Sequence, residues 1–174
     1  FYTLAIEFKN MPDKYTSSIL KNEYTALKTY IHHRLLTKSK LPVRLPTIPE
    51  DISENIVKFV IKNILGDSTC KWSKDAKRKG DLYSEKEGQI EVKCYMSDAP
   101  ISFGPNEVWD SLYLLDATDC ANDRFVVWRL PHKNTSDVIT SLKVSKTQTF
   151  GDQSTEKRRP RLNPRLIHES LGAY

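Results

Sequence analysis

The sequence lacks several of the patterns on which common function classes depend. It has no CxxC pair, and its three cysteines (Cys70, Cys94 and Cys120) are widely spaced and odd in number. Neither a zinc site nor a disulfide framework is therefore predicted. No P-loop, no GxSxG motif and no Rossmann glycine pattern occurs. Nucleotide hydrolysis, serine-hydrolase chemistry and dinucleotide redox have no sequence support, and no nucleotide cofactor is expected.

Long apolar runs are also missing. No stretch approaches the roughly 20 apolar residues that a membrane-spanning helix needs, and the first residues, FYTLAIEFKN, lack the pattern of a signal peptide. We therefore expect no membrane association and a reducing, cytoplasmic setting. The length of 174 residues predicts a single domain over residues 1–174.

Charge is unevenly distributed along the chain. The net charge is +5 and the isoelectric point is about 9.0, a balance that suits a polyanionic partner but also ordinary solubility. Two basic clusters carry much of it: Lys71, Lys74, Lys77, Arg78 and Lys79, then Lys157, Arg158, Arg159, Arg161 and Arg165. Each cluster alone is typical of a solvated surface, whereas the pair favours nucleic acid as the partner.

The most informative stretch is residues 80–93, GDLYSEKEGQIEVK. Gly88 is the natural breaker of a hairpin turn, and the strand that follows should alternate its faces. Its apolar face holds Ile90, Val92 and Cys94. Glu91 and Lys93 lie on the other face.

The partner strand would bring Asp81 beside Glu91, with the ammonium of Lys93 close by. Paired carboxylates repel one another unless a cation lies between them, and Mg²⁺ prefers such oxygen ligands. The alternative is a solvated hairpin with ordinary surface charges. A second D-x-K triplet, at Asp75, lies in a basic run without apolar alternation and is assigned to a loop.

Asp81 followed by Glu91-Val92-Lys93 resembles the PD-(D/E)xK nuclease signature, and type II restriction endonucleases in particular. Gly80 stands where that signature has proline. The family often adds an acidic residue from a helix that precedes the hairpin, and Glu54 is the matching candidate here. The resemblance covers about residues 50–130.

The resemblance implies an α/β fold with a mixed central β-sheet, of about four or five strands, flanked by helices. It implies Mg²⁺-dependent cleavage of double-stranded DNA at a specific sequence. Asp81, Glu91 and Glu54 would hold the metal, and Lys93 would position or activate the water. Palindromic sites are usually read by two-fold dimers, so a homodimer is expected.

Helices are predicted over residues 13–36 and 49–65, the second with a starting proline and acids in its first turn. In the first, Leu20, Tyr24, Leu27, Ile31 and Leu35 form one apolar stripe. The stripe is assigned either to the core or to a dimer interface. The proline-rich connector at residues 41–49 has no legible function.

Later in the chain, apolar runs at residues 111–117 and 124–130 predict strands covered on both faces. Phe103 and Trp109 are expected to be core anchors. Short helices are predicted at residues 136–144 and 164–171.

Candidate DNA contacts come from the loop after the hairpin and from the basic residues: Lys79, Ser97, Asp98, Ser102, Asn106, Lys157, Arg158, Arg159 and Arg161. Their side chains can bond phosphates or base edges. Residues 147–165 read as polar and weakly structured, so residues 147–174 are interpreted either as a DNA-contacting segment or as a flexible tail.

Two other functions remain open at this point. One is a structure-specific nuclease that resembles Holliday-junction resolvases of the same superfamily. The other is a basic DNA-binding module without chemistry, although such a module gains nothing from paired acids near phosphate.

Overall fold

The computed structural model describes residues 2–7, 18–74 and 79–170. The strands are β1 Tyr2–Glu7, β2 Lys71–Trp72, β3 Leu82–Ser84, β4 Gly88–Tyr95, β5 Ile101–Ser102, β6 Ser111–Asp116, β7 Arg124–Leu130 and β8 Arg161–Leu162. The helices are α1 Ser18–Lys38, α2 Glu50–Phe59, α3 Asp137–Thr140, α4 Phe150–Thr155 and α5 Pro164–Ser170. No helix among the described residues is long and apolar enough to cross a membrane.

A six-stranded sheet forms the centre, in the order β1-β7-β6-β4-β3-β2. Strands β4 and β6 are parallel, and the other neighbours are antiparallel. Strands β5 and β8 form a separate two-stranded sheet. The predicted mixed sheet is confirmed, but it has six strands rather than four or five.

Two hydrophobic clusters cover the two faces of the central sheet. The first joins α1 and α2 to the sheet and includes Ile56, Ile90, Val92, Tyr113 and Phe125. The second lies under the C-terminal elements and includes Phe103, Trp109, Leu112, Leu114 and Phe150. Successive residues of β6 belong to opposite clusters, which explains why its sequence is continuously apolar.

The apolar stripe of α1 packs into the core. Tyr24 and Ile31 are buried, and Leu27 packs against the same cluster. Tyr24 and Ile31 are therefore core residues, as the first of the two interpretations has it, whereas this cluster covers Leu27 only in part. Leu35 is exposed, and residues 13–17 of the predicted helix lie outside the described residues.

Helix α2 begins after Pro49, as predicted. Glu50 and Asp51 occupy its first turn, where acidic side chains favour the positive end of the helix dipole. After Phe59 the chain continues as a π-helical turn, Val60–Ile64. The predicted helical segment therefore exists, but its last turn is wider than an α-helix.

The prediction that residues 147–165 are weakly structured is wrong. Thr149 and Asp152 form a reciprocal capping box at the start of α4, and Phe150 is buried in the second cluster. Strand β8 then pairs with β5. The predicted helix at residues 136–144 is shorter than expected and covers Asp137–Thr140, with Ser136 as its cap.

Strand β7 is less covered than predicted. Phe125, Val127 and Leu130 are buried, whereas Val126 and Trp128 are only half-buried.

Candidate active site

Strands β3 and β4 form the predicted hairpin, with Leu82 paired to Ile90. Gly80 precedes β3 with a φ of +89°. Proline cannot adopt this angle because its ring fixes φ near −65°. The departure of Gly80 from the nuclease signature therefore has a backbone cause.

The carboxylate of Asp81 replaces a backbone acceptor of the sheet. The Asp81 N–H donates to the Ile90 carbonyl at 3.1 Å. One pair further along, the Val92 N–H donates to Asp81 Oδ2 at 2.8 Å. The side chain thus continues the β3–β4 ladder where the backbone of the shorter strand ends, and it is fixed beside Glu91.

Glu91 and Lys93 project from the same face of β4. Glu91 is 3% exposed, and the Lys93 ammonium donates to its Oε1. The ammonium also lies 3.4 Å from Glu107 Oε1 and 5.7 Å from the centroid of the Phe103 ring. Lys93 is therefore held by two carboxylates and the face of an aromatic ring.

Glu54 reaches the same place from α2. A cleft of about 1110 Å³ is lined by Glu54, Asp81, Glu91 and Lys93 among others. The three carboxylates and the lysine that the sequence predicted for the site are therefore brought together, on one helix and one hairpin.

Burial and the neighbouring negative charges raise the pKa values of these acids. Burial, then the negative charges of Asp81 and Glu50, raise the pKa of Glu54 to about 8. Burial and the charge of Asp81 raise the pKa of Glu91 to about 7, against the lowering effect of Lys93. The pKa of Asp81 is also raised by burial, although the Val92 hydrogen bond opposes this. The charged forms of Glu54 and Glu91 are therefore disfavoured in this cluster.

Burial by itself would lower the pKa of Lys93, but the charges of Glu91 and Glu107 outweigh it and raise that pKa. In this arrangement Lys93 is an ammonium.

The donor set suits a hard divalent cation, because it consists of carboxylate oxygens. It is not assembled as a metal centre, however. Within the described ranges, no group of three or more His, Cys, Asp or Glu side chains is arranged to hold a metal ion. The cation that Glu91 contacts is the Lys93 ammonium.

The candidate DNA contacts separate into two groups. Ser97, Ser102 and Arg159 line the cleft, and the Arg159 Nε donates to Ser102 Oγ at 3.3 Å. Lys79 and Asn106 line an adjoining hollow that also contains Glu91 and Glu107. The others, namely Asp98, Lys157, Arg158 and Arg161, line neither space.

Two features of the cleft were missed by sequence reasoning. Glu107 directly follows Asn106, the last candidate contact of the loop after the hairpin, and only the fold brings it to Lys93. The connector residues from Pro42 to Ile48, with Arg44 among them, also line the cleft. The proline pattern of this connector does not predict that it lines the cleft.

Comparison with known proteins identifies one family. A family model described as Bsp6I restriction endonuclease matches residues 14–168. A relative, the type II restriction enzyme Bsp6I from Bacillus sp. (strain RFL6), is 38% identical over 65 residues. That match covers 36% of this chain and 34% of the relative. No solved structure matches.

Proposed function

Because the chain belongs to the Bsp6I restriction endonuclease family, we propose that it hydrolyses phosphodiester bonds at a specific short sequence in double-stranded DNA, with Mg²⁺ as cofactor. The observation that carries the proposal is the convergence of Glu54, Asp81, Glu91 and Lys93 on one cleft. The alternative of a non-catalytic binding module does not account for buried acids that repel one another.

The acids hold the cofactor in this proposal. Asp81 and Glu91 are the principal ligands, and Glu54 assists from α2. When bound, Mg²⁺ polarises the phosphate and stabilises the charge of the leaving 3′-oxygen. The fixed position of the Asp81 carboxylate, set by the Val92 N–H, keeps one ligand in place before the cation arrives.

Lys93 acts on the attacking water. The negative charges around it keep its side chain as an ammonium. It therefore donates to the water and to the phosphate and orients them for attack, and it does not take the proton in this charge state.

DNA lies along the basic parts of the cleft. Lys38, Arg44 and Arg159 line it, and each can neutralise a phosphate. Arg159 is further restrained by its hydrogen bond to Ser102. Ser97 and Ser102 supply hydrogen-bonding groups for phosphates or base edges.

We further propose that the enzyme acts as a homodimer in the cytoplasm. Two-fold symmetry matches a palindromic site. Tyr30, Leu36 and Leu41 are 52%, 55% and 58% exposed, which leaves apolar surface for a second copy. Cys70, Cys94 and Cys120 are free thiols, as a reducing compartment maintains them. Light scattering with and without cognate DNA tests the dimer, and a monomer in both conditions would contradict it.

Cleavage of plasmid and phage DNA, with Mg²⁺ or with EDTA, tests the function. We expect discrete fragments that require Mg²⁺, and sequencing of their ends should reveal one short common sequence. A Mg²⁺-dependent smear, or cleavage of branched DNA only, would move the assignment to a structure-specific nuclease. Binding without cleavage under any condition would overturn the catalytic proposal.

A further inference from the structure

Glu107 provides Lys93 with a second carboxylate. It lies between β5 and β6, and its Oε1 is 3.4 Å from the Lys93 Nζ. Its other oxygen, Oε2, is buried and has no hydrogen-bond partner among the described residues. A buried carboxylate oxygen without a partner is costly, so its position beside Lys93 points to a role in the site.

The backbone from Glu107 to Trp109 is held by one side chain, Asn134. The Asn134 Nδ2 donates to the Glu107 carbonyl at 2.8 Å, and the Asn134 Oδ1 accepts from the Trp109 N–H at 3.4 Å. Trp109 is 1% exposed and packs against Phe103. This anchoring fixes the direction from which the carboxylate approaches Lys93.

Gly104 leaves room for that carboxylate. A Cβ at position 104 would lie 2.6 Å from Glu107 Oε1, which is closer than two such atoms can approach. A larger residue there would shift the end of the Glu107 side chain from its present position. Gly104 and Glu107 therefore form one local arrangement with the ammonium.

The need for two partners follows from the position of Glu91. Lys93 is mostly buried, with 19% of its side chain exposed, and a buried charge requires a partner. Its nearest partner, Glu91, is also a proposed ligand of the cation. Two cations cannot share the same carboxylate oxygens without repelling one another.

We propose that Glu107 is a positioning residue, which keeps the Lys93 ammonium at the reaction centre when the Glu91 carboxylate is engaged by a divalent cation. This inference rests on the proposed function. It differs from a ligand role for Glu107, because a positioning residue can be neutralised without loss of cation affinity.

The test compares Glu107→Gln with Glu85→Gln, which makes the same change in the exposed hairpin turn. Calorimetry measures Mg²⁺ affinity without DNA, single-turnover assays measure cleavage, and ¹⁵N–¹H NMR observes the Lys93 ammonium. For Glu107→Gln we expect Mg²⁺ affinity within about twofold of the unmodified protein. Cleavage should be about 10–100-fold slower, as for other outer-shell partners. The Lys93 signal should broaden when Mg²⁺ is added. Glu85→Gln should change none of these.

Several results would overturn the inference. A Mg²⁺ affinity that falls tenfold or more would make Glu107 a ligand, and unchanged cleavage would leave it without a role. In a Lys93→Met background Glu107→Gln should have no further effect on cleavage, since its action passes through the lysine. Additive effects would contradict this.

Two further controls distinguish failure of the inference from misfolding of the variant and from failure of the proposed function. Gly104→Ala displaces the carboxylate without removing it and should act in the same direction as Glu107→Gln, so a poorly folded glutamine variant does not prevent the test. If the unmodified protein cleaves no DNA at any Mg²⁺ concentration, the proposed function fails. The NMR signal then decides the inference: a Lys93 ammonium that Mg²⁺ affects equally with and without Glu107 would exclude it.

Discussion

Asp81→Asn and Asp81→Ala remove the same charge but leave different partners for the neighbouring backbone. In the structure the Val92 N–H donates to Asp81 Oδ2 at 2.8 Å. Asparagine keeps an oxygen at that position and alanine does not. The two variants therefore separate the chemical role of the carboxylate from its role in the sheet.

The expected stabilities follow from this hydrogen bond. Alanine leaves the Val92 N–H without its acceptor, which costs about 1–3 kcal/mol. Each kcal/mol lowers Tm by about 2–4 °C in a chain of this size. Asparagine replaces a charged acceptor by a neutral one, a loss of about 1 kcal/mol. Burial raises the pKa of the Asp81 carboxyl, which means that its negative charge is unfavourable there. Removal of this charge therefore offsets part of the lost stability.

Cleavage should respond differently from stability. Both variants lose a proposed metal ligand, so both should cleave at least about 100-fold more slowly, the upper end of what outer-shell partners cost. Mg²⁺ at 100 times its Kd should stabilise the unmodified protein by about 2.7 kcal/mol, which is seen as a rise in Tm. Neither variant should show the full rise.

The assays are thermal unfolding by circular dichroism with EDTA or Mg²⁺, DNA binding by fluorescence anisotropy in EDTA, and single-turnover cleavage. We expect DNA binding in EDTA to remain in both variants. An asparagine variant that cleaves at the original rate would refute the ligand role. Equal stabilities of the two variants would refute the backbone role.

Three more predictions concern the cleft and the packing around it. Arg159→Ala should weaken DNA binding and reduce by about 1 the slope of the log of the DNA-binding constant against the log of the salt concentration. Arg158 lies outside the cleft, so Arg158→Ala should leave this slope unchanged. Binding titrations at several salt concentrations check both variants. Tyr24→Phe removes a buried hydroxyl that donates to Asp123 Oδ1 at 3.2 Å, so urea unfolding should show a loss of about 1–2 kcal/mol, and an unchanged midpoint would contradict it. Burial lowers the pKa of His168 below its usual 6.5, so the unfolded chain binds the proton more readily than the folded protein does. The contribution of this group to stability should be complete above about pH 6.5 and fall below that pH. His168→Phe should remove this part of the pH profile, measured by thermal unfolding.

The sequence predicted the parts of the site that lie on regular elements. Alternation along β4 separated Glu91 and Lys93 from Ile90 and Val92, because a strand has a period of two. A proline and two acids at the start of α2 identified the helix that carries Glu54. These signals are local, so a single sequence contains them.

The rest depended on contacts between distant segments or on short elements. Helix α4 has only six residues, too few for a helical apolar period to be visible, although Thr149 and Asp152 were a readable cap. Glu107 and the connector reach the cleft through the tertiary arrangement, which no local pattern specifies. The strand that the sequence did not predict is β1, Tyr2–Glu7, which joins the sheet only by pairing with the distant β7.

The pairing of β1 with β7 has a consequence for the order of assembly. Tyr2 lies opposite Arg129, so this edge closes a loop that includes nearly all of the preceding chain. Such closure is slow, because the chain entropy is lost before the contacts form. The acids of the cleft instead come mainly from residues 54 to 107, joined by the tight hairpin. We expect refolding, followed by pulsed hydrogen exchange, to protect the amides of β3 and β4 before those of β1; during synthesis, β1 must likewise wait until β7 has left the ribosome.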